Sequence, residues 1–214
     1  MTDIHLVTAE NRAAYEAPME QFHRRRYEVF VEERGWHGLA RDDRRDVDAY
    51  DNDNAVYLLA IDSSRVVGGL RLYPTLLPHM LSETFPHLAS RTGVLSGPTI
   101  FECTRYFTIR ERRMGRTDCR LLAAFQDLCL QEGITAVTAV VEMWWLPRWQ
   151  QAGFTVRPLG LPALVGGQPC IAASILIREE SLTSVRRIAG LKGATFQRHG
   201  PRAPLLARMS HAAA

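Results

Sequence analysis

Three charged residues sit where a strand would bury them. Glu102 and Arg105 interrupt the β-branched and aromatic run "GPTIFECTRYFTI", residues 97–109, and Arg71 interrupts "GGLRLYP". Charge inside an apolar strand is costly unless an opposite charge meets it. Candidate partners are Asp46, Asp48 and Asp51 in "DVDAYD", together with Arg26. The pattern predicts a buried or half-buried ionic cluster at one end of a sheet. Such a cluster is either a structural ion-pair network or a site where neighbouring charges tune proton affinities for catalysis. Two features favour catalysis. The acids and arginines outnumber what one strand needs. Phe30 and Trp36 flank them with flat rings that can pack on a cation or a purine. Geometry adds a condition. On a regular strand Glu102 and Arg105 point to opposite faces, so a single cluster requires a bulge or twist near Cys103–Thr104.

The elements that must position these residues are marked by periodicity and breakers. Residues 10–34 read as a helix in two pieces, broken near Pro18, with Met19, Phe22, Tyr27 and Phe30 roughly on one face. Gly35 and Gly38 stop it. Residues 39–54 form a long polar loop, a kind that often carries function. "AVYLLAID", "SSR" and "VVGGLRLYP" make a hairpin, and "HMLSETFPHL" a short helix. The 97–109 stretch is the next strand. "RRMGRTDCRLLAAFQDLCLQEG" is an amphipathic helix with Leu121, Leu122, Phe125, Leu128 and Cys129 on one face and Gly133 at its end. "ITAVTAVV" is a buried strand, "MWWLPRWQQAG" a short helix around Pro147, and "QPCIAASILIR" a last strand. This order implies an α/β (α+β) class, with a mixed central sheet and helices on both faces. One domain is expected over 1–180, followed by a basic C-terminal helix or tail over 181–214.

Composition narrows the partners. The chain has 214 residues, 46% hydrophobic and 23% charged, which suits one globular domain. The net charge of +3 is mild, but no acid follows Glu180, whereas Arg186, Arg187, Lys192, Arg198, Arg202 and Arg208 do. Such a tail suits nucleic acid or a membrane surface; a solvated, partly disordered terminus is the plainer reading. Cys103, Cys119, Cys129 and Cys170 form no CxxC pair and have no His at metal-ligand spacing. They read as reduced thiols of a cytoplasmic protein without a metal. The N-terminus lacks the basic and apolar regions of a signal peptide, and no apolar run is long enough to span a bilayer. Small-molecule substrates are expected, with no nucleic-acid or membrane partner.

The layout resembles the GNAT-type acyltransferase fold. In that fold the region of "RRMGRT", residues 112–117, cradles a pyrophosphate with backbone N–H groups and the helix dipole. The resemblance therefore implies that Arg112, Gly115 and Thr117 hold CoA or phosphopantetheine; an Arg-rich first turn is otherwise simply solvated.

A narrower resemblance rests on four motifs in order. They are R-x3-F-x5-W at Arg26, Phe30 and Trp36; D-x-D-x2-D at Asp46, Asp48 and Asp51; the arginine of "GGLRL"; and F-E-x2-R at Glu102 and Arg105. Together they resemble the acyl-homoserine-lactone synthases, the LuxI-type autoinducer makers, over most of residues 4–178. Members of that family join an acyl group from a thioester to the amine of S-adenosylmethionine (SAM), close the lactone and release methylthioadenosine. The resemblance implies that Arg26, Phe30 and Trp36 line the SAM site, with Arg26 on the SAM carboxylate. It implies that Asp48 and Asp51 hold the amino and sulfonium end or brace the arginines. Glu102 becomes the candidate base, directly or through a water, because a carboxylate held close can take the amine's proton. Arg71 and Arg105 fix the acids in place, so the catalytic set is Glu102, Asp48 and Arg105. One position departs from the family: its first acid is usually Glu and here it is Asp46.

The same resemblance puts Phe85 at the acyl pocket and points to the 134–145 strand, with Thr138, Val141, Met143, Trp144 and Trp145 as candidates. If one of the adjacent tryptophans points inward, the pocket is short and favours a small, branched or aromatic acyl group. Otherwise both are packing residues. "AVYLLAID", "RLYPTLLPHM" and "FPHL" are similar to the bradyrhizobial and rhodopseudomonad branch of the family, which uses acyl-CoA. SAM and acyl-CoA are then substrates, and no cofactor is permanently bound. An acidic acyl carrier protein suits an Arg-rich face equally well. Two rival readings stand beside this one. The first is a GNAT N-acyltransferase acting on another amine. The second is a non-catalytic module whose basic tail binds nucleic acid.

Overall fold

Gly68 and Gly69 stand back to back in the middle of the sheet. A Cβ on Gly68 would come 3.2 Å from Leu121 Cδ1, and one on Gly69 would come 2.8 Å from Phe22 Cε2. Successive strand residues face opposite ways, so Leu121 and Phe22 mark helices pressed onto the two faces. These are α3 (Arg116–Gln131) and α1 (Glu16–Tyr27). The expected helices on both faces are therefore present, and the absent side chains at Gly68 and Gly69 permit the close approach.

The computed structural model describes residues 2–113, 115–201 and 204–206. Its sheet contains β1 (Thr2–Val7), β2 (Val56–Asp62), β3 (Arg65–Pro74), β4 (Ile100–Thr108), β5 (Ala136–Glu142), β6 (Thr155–Pro158), β7 (Ala163–Val165), β8 (Gln168–Leu176) and β9 (Gln197–Arg198). The spatial order is β6-β8-β5-β4-β3-β2-β1-β9, with β7 beside the other half of β8. β4 and β5 run parallel, as do β1 and β9; the remaining pairs are antiparallel. The shorter helices are α2 (Met80–Glu83), α4 (Trp145–Gln151) and α5 (Glu179–Ala189). No described helix is long and apolar enough to cross a membrane.

Three local features differ from the sequence expectation. Pro18 does not break the helix. It is the third residue of α1, where a backbone N–H has no intrahelical partner to lose. The helix then widens over Glu28–Glu33, burying Val29, Phe30 and Val31, before Gly35 at φ 72° turns the chain. The second difference is the strand irregularity. Gly69 pairs with Phe107 but Arg71 pairs with Thr104, so Leu70 faces two residues, Arg105 and Tyr106. Arg105 sits at φ 54°. The bulge exists, one residue beyond Cys103–Thr104. The third is the C-terminal segment. The boundary expected at 180 falls inside α5, whose Ser181, Val185 and Ala189 are buried. Beyond it β9 pairs with β1, Arg198 pairs with Glu132, and Leu205 is buried. The segment is thus anchored to the domain through α5 and β9, because α5 turns an apolar stripe inward, while Arg187 and Lys192 stay exposed. Arg202 and Arg208 lie outside the described residues.

The feature that makes a site is the divergence of β4 and β5. They pair only where Ile100, Phe101 and Glu102 meet Ala136, Val137 and Thr138. Past that point the strands continue without pairing, and a gap opens between them.

Candidate active site

The gap between β4 and β5 is a cavity of about 710 Å³. Cys103, Thr104, Arg105 and Tyr106 line it from β4, and Ala139, Val140, Val141 and Glu142 from β5. One region is polar, with Asp48, Tyr50, Glu102 and Arg105. The other is apolar, with Leu122, Phe125, Trp145, Trp149, Phe154 and Ile175. The apolar residues belong to the hydrophobic core, so this part of the cavity is an unfilled region of core.

Behind the polar region the predicted cluster exists, as a closed ring. Arg26 meets Asp46 at 3.0 Å and Asp51 at 2.8 Å; Arg71 meets Asp51 at 2.8 Å and Asp48 at 2.6 Å. Arg105 meets Asp48 at 3.0 Å and Asp46 at 2.6 Å, which closes the circle. Every charge has an opposite charge on either side, so arginines with no exposed surface are tolerated. The acids are delivered by the 39–54 loop, which folds on its own aspartates. Asp48 N–H donates to Asp51 Oδ2 (2.9 Å) and Tyr50 N–H to Asp48 Oδ1 (2.9 Å). Burial alone would raise the Asp46 and Asp51 carboxyls. Arg26 with Arg105, and Arg26 with Arg71, outweigh burial and hold the two below the ordinary aspartate value. Burial would likewise lower Arg26 and Arg71, but their aspartates raise both.

The bulge decides which charges reach the cavity. Thr104 Oγ1 accepts from Arg71 Nε (3.0 Å), on the α1 side of the sheet, while Tyr106 O–H donates to Asp118 of α3 (2.9 Å), on the other side. The extra residue, Arg105, turns back toward Asp46 and joins the face of Glu102 and Thr104. Of the ring, only Asp48 and Arg105 line the cavity. Arg26 and Arg71 are sealed behind, so Arg26 does not reach the position expected for a substrate carboxylate. Its guanidinium is spent on Asp46 and Asp51 and lies over the Phe22 ring. Arg105 keeps a donor to spare: its Nη1 faces the Met80 sulfur at 3.8 Å, a weak acceptor.

Glu102 is 2% exposed and lines the cavity. Its two oxygens accept backbone N–H groups from Met80 (3.0 Å) and Leu81 (2.6 Å). Burial pushes its carboxyl up, opposed by nearby His79 and these N–H donors, and the result stays above the ordinary glutamate value. Phe30 and Trp36 also line the cavity and stack at 5.0 Å. Tyr50, not anticipated, donates to Glu83 (2.6 Å), and burial with that carboxylate pushes its phenol up to about 12.

The adjacent tryptophans divide. Trp145 is buried against Tyr106 and lines the cavity; Trp144 is 52% exposed and stacks on Trp145 from outside. Phe85 and Val141 line the cavity as expected. Thr138 and Met143 do not: Thr138 is fully buried with its hydroxyl 3.5 Å from the Phe101 carbonyl. Sequence reasoning missed Leu122, Phe125, Trp149, Phe154 and Ile175. A signal was present for two of them, since Leu122 and Phe125 share the core face of α3. At the mouth, Arg34 bridges to Glu142 (3.3 Å) between the Phe30 and Trp144 rings. Arg112, Gly115 and Thr117 lie outside this cavity; Arg112 pairs with Asp62 and Thr117 is buried.

Comparison with known proteins gives a consistent picture. The Autoinducer synthase family profile matches residues 10–185. The chain is 49% identical to the isovaleryl-homoserine lactone synthase of Bradyrhizobium diazoefficiens over 205 residues, 96% of this chain and 93% of that one. Its structure matches that of BjaI, a CoA-dependent acyl-homoserine lactone synthase solved with SAM and isopentyl-CoA. The TM-score is 0.95 at 48% identity, covering 99% of this chain and 100% of that one. A Lactobacillus plantarum structure named as an N-acetyltransferase matches with a TM-score of 0.59 at 19% identity, covering 83% of this chain and 99% of that one, a likeness of fold alone.

Proposed function

The chain belongs to the autoinducer synthase family, and from that premise we infer its reaction: it is an acyl-homoserine-lactone synthase that acylates SAM from acyl-CoA. The observation that carries this reading is one cavity in which a buried carboxylate and a charged ring adjoin an aromatic, apolar region. A small zwitterionic cation and an acyl chain need those two environments side by side.

The roles follow from position. Phe30 and Trp36 offer stacked rings to the sulfonium and purine. Arg105 Nη1 takes the SAM carboxylate, the part first assigned to Arg26. Asp48 faces the α-ammonium. Glu102, kept basic by burial, removes the proton that SAM's amine carries at neutral pH. The amine nitrogen then attacks the thioester carbonyl, and backbone N–H groups turned into the β4–β5 gap donate to the oxyanion. The first proton passes from Glu102 to solvent, the nitrogen gives its second proton to Glu102 as the carbon–sulfur bond breaks, and Glu102 delivers that proton to the leaving CoA thiolate. For the second step, a carboxylate oxygen of the acylated SAM attacks its own γ-carbon. The carbon–sulfonium bond breaks, leaving a neutral lactone and methylthioadenosine. Ring closure needs only positioning.

The acyl group we infer is short and branched. Trp145 and Trp149 narrow the apolar region, and the Bradyrhizobium relative is named for isovaleryl. The enzyme works in the cytoplasm, where both substrates are made. The test is a thioester panel: isovaleryl, aryl and straight-chain groups on CoA and on acyl carrier protein, each with SAM. Methylthioadenosine and an acyl-homoserine lactone are expected from isovaleryl-CoA. Absence of product from every thioester ends the assignment, and product from carrier-linked donors alone reverses the choice of carrier. Acylation of another amine without SAM makes the protein a plain N-acyltransferase.

A further inference from the structure

We propose that His79 is a positioning residue for Glu102, acting through the turn that opens α2. The inference rests on the reading of Glu102 as the base. His79 is 2% exposed and is not among the residues lining the cavity. Its Nδ1 lies 2.9 Å from the Leu77 carbonyl oxygen. A carbonyl only accepts, so Nδ1 carries the hydrogen and Nε2 is left with a lone pair. That Nε2 is buried and has no hydrogen-bond partner. An unmet buried acceptor costs stability, and an apolar side chain of similar size would avoid the cost. The imidazole is therefore kept for something it does.

What it does is visible in the turn. His79 N–H donates to Ser82 Oγ (3.0 Å), Ser82 Oγ donates back to the His79 carbonyl (2.8 Å), and Glu83 N–H reaches the same carbonyl (3.0 Å). With the ring pinned to Leu77 on one side and the backbone closed by Ser82 on the other, the next two N–H groups have one direction. They meet the two oxygens of Glu102. A carboxylate held at both oxygens cannot rotate, and each oxygen keeps a second lone pair for a proton. The same turn places the Met80 sulfur against Arg105 Nη1. His79 thus sets the base and the neighbouring cation from outside the substrate site.

The experiment compares His79→Leu, His79→Asn and Ser82→Ala. Asparagine is a favoured helix N-cap, and its amide can donate to Leu77. His79→Leu is expected to lower kcat about 10- to 100-fold while the KM for SAM stays within about twofold, the cost of a misplaced but present group. His79→Asn is expected to recover most of kcat. Wild-type kcat in His79→Leu overturns the proposal, as does a parallel loss of kcat, SAM affinity and Tm that asparagine fails to restore. A readout independent of turnover is the carbon-13 NMR titration of Glu102 in the substrate-free protein, where the Met80 and Leu81 N–H groups and the Arg71 charge act on it. His79→Leu is expected to raise that pKa further, since a loosened turn weakens the Met80 and Leu81 N–H bonds that stabilise the anion. An unchanged titration overturns the proposal even if the wild type makes no lactone; failure of the thioester panel alone counts only against the function.

Discussion

Arg105 reaches Asp46 at 2.6 Å only because its own backbone stands at φ 54°. A non-glycine residue in the left-handed region costs about 1–2 kcal/mol. The structure bears that cost at the arginine that closes the charged ring and, with Asp48, lines the cavity. Backbone strain therefore converts a structural ion-pair network into part of a site.

Asp46 is where the ring is tested most directly. Asp46→Asn leaves Arg26 and Arg105 buried with one charge fewer, and about 3–5 kcal/mol of stability should be lost in urea unfolding. Asp46→Glu restores the acid usual in the family, but the ring closes here around the shorter side chain. The extra methylene should cost about 1–3 kcal/mol. Full stability in Asp46→Glu would show that the ring has room to spare.

The ring also fixes how stability responds to acid. Asp46 and Asp51 have folded-state pKa values below the ordinary aspartate 3.8. A depressed carboxylate pKa contributes stability that is present above the unfolded value and lost as pH falls through the folded one. Urea midpoints should therefore drop as pH falls below about 3.8, and Asp46→Asn should flatten that part of the curve. A wild-type midpoint independent of pH in this range would contradict the assigned pairing.

Glu102 responds in the opposite sense. Its folded pKa lies above the ordinary glutamate 4.5 because burial disfavours the anion. Since the base must be ionised, kcat/KM should fall on acidification with an inflection above 4.5. Glu102→Gln keeps the shape and removes the base, so turnover should fall at least about 100-fold while calorimetry still detects SAM binding. Turnover near wild type would end the assignment of Glu102 as base.

How much of this was legible depended on whether a residue's role was local. The charged strand residues announced themselves by being out of place, and the need for a bulge followed from alternation; only its position slipped, from Thr104 to Arg105. The polar loop was recognisable by length and composition. The sealed position of Arg26 was not, because which of several arginines faces the cavity is decided by packing between α1, the loop and β4. The apolar lining was hidden for a similar reason. Leu122, Phe125 and Ile175 carry an ordinary core pattern, and only the divergence of β4 from β5 makes their neighbourhood empty. β6, β7 and β9 are too short to show a period, and β1 offers only six residues.

The tryptophans separate packing from specificity. Trp144 lies half in solvent, does not line the cavity, and meets it through Trp145 and Arg34. Trp149 is buried against Trp145 with ring centres 5.9 Å apart, and it lines the cavity beside Phe154. Trp144→Ala should therefore leave the order of preferred acyl-CoA substrates unchanged. Trp149→Ala opens volume in the apolar region, and longer straight-chain acyl groups should gain relative to isovaleryl. Each added methylene that finds apolar contact is worth about 0.8 kcal/mol, so a chain two carbons longer should gain roughly tenfold in relative kcat/KM. Truncating a buried tryptophan costs about 3–5 kcal/mol, so Trp149→Phe is the companion variant, with a smaller shift in the same direction. Competition assays with paired acyl-CoAs read the ratio directly. A shift in Trp144→Ala with none in either Trp149 variant would move the end of the pocket to the surface ring.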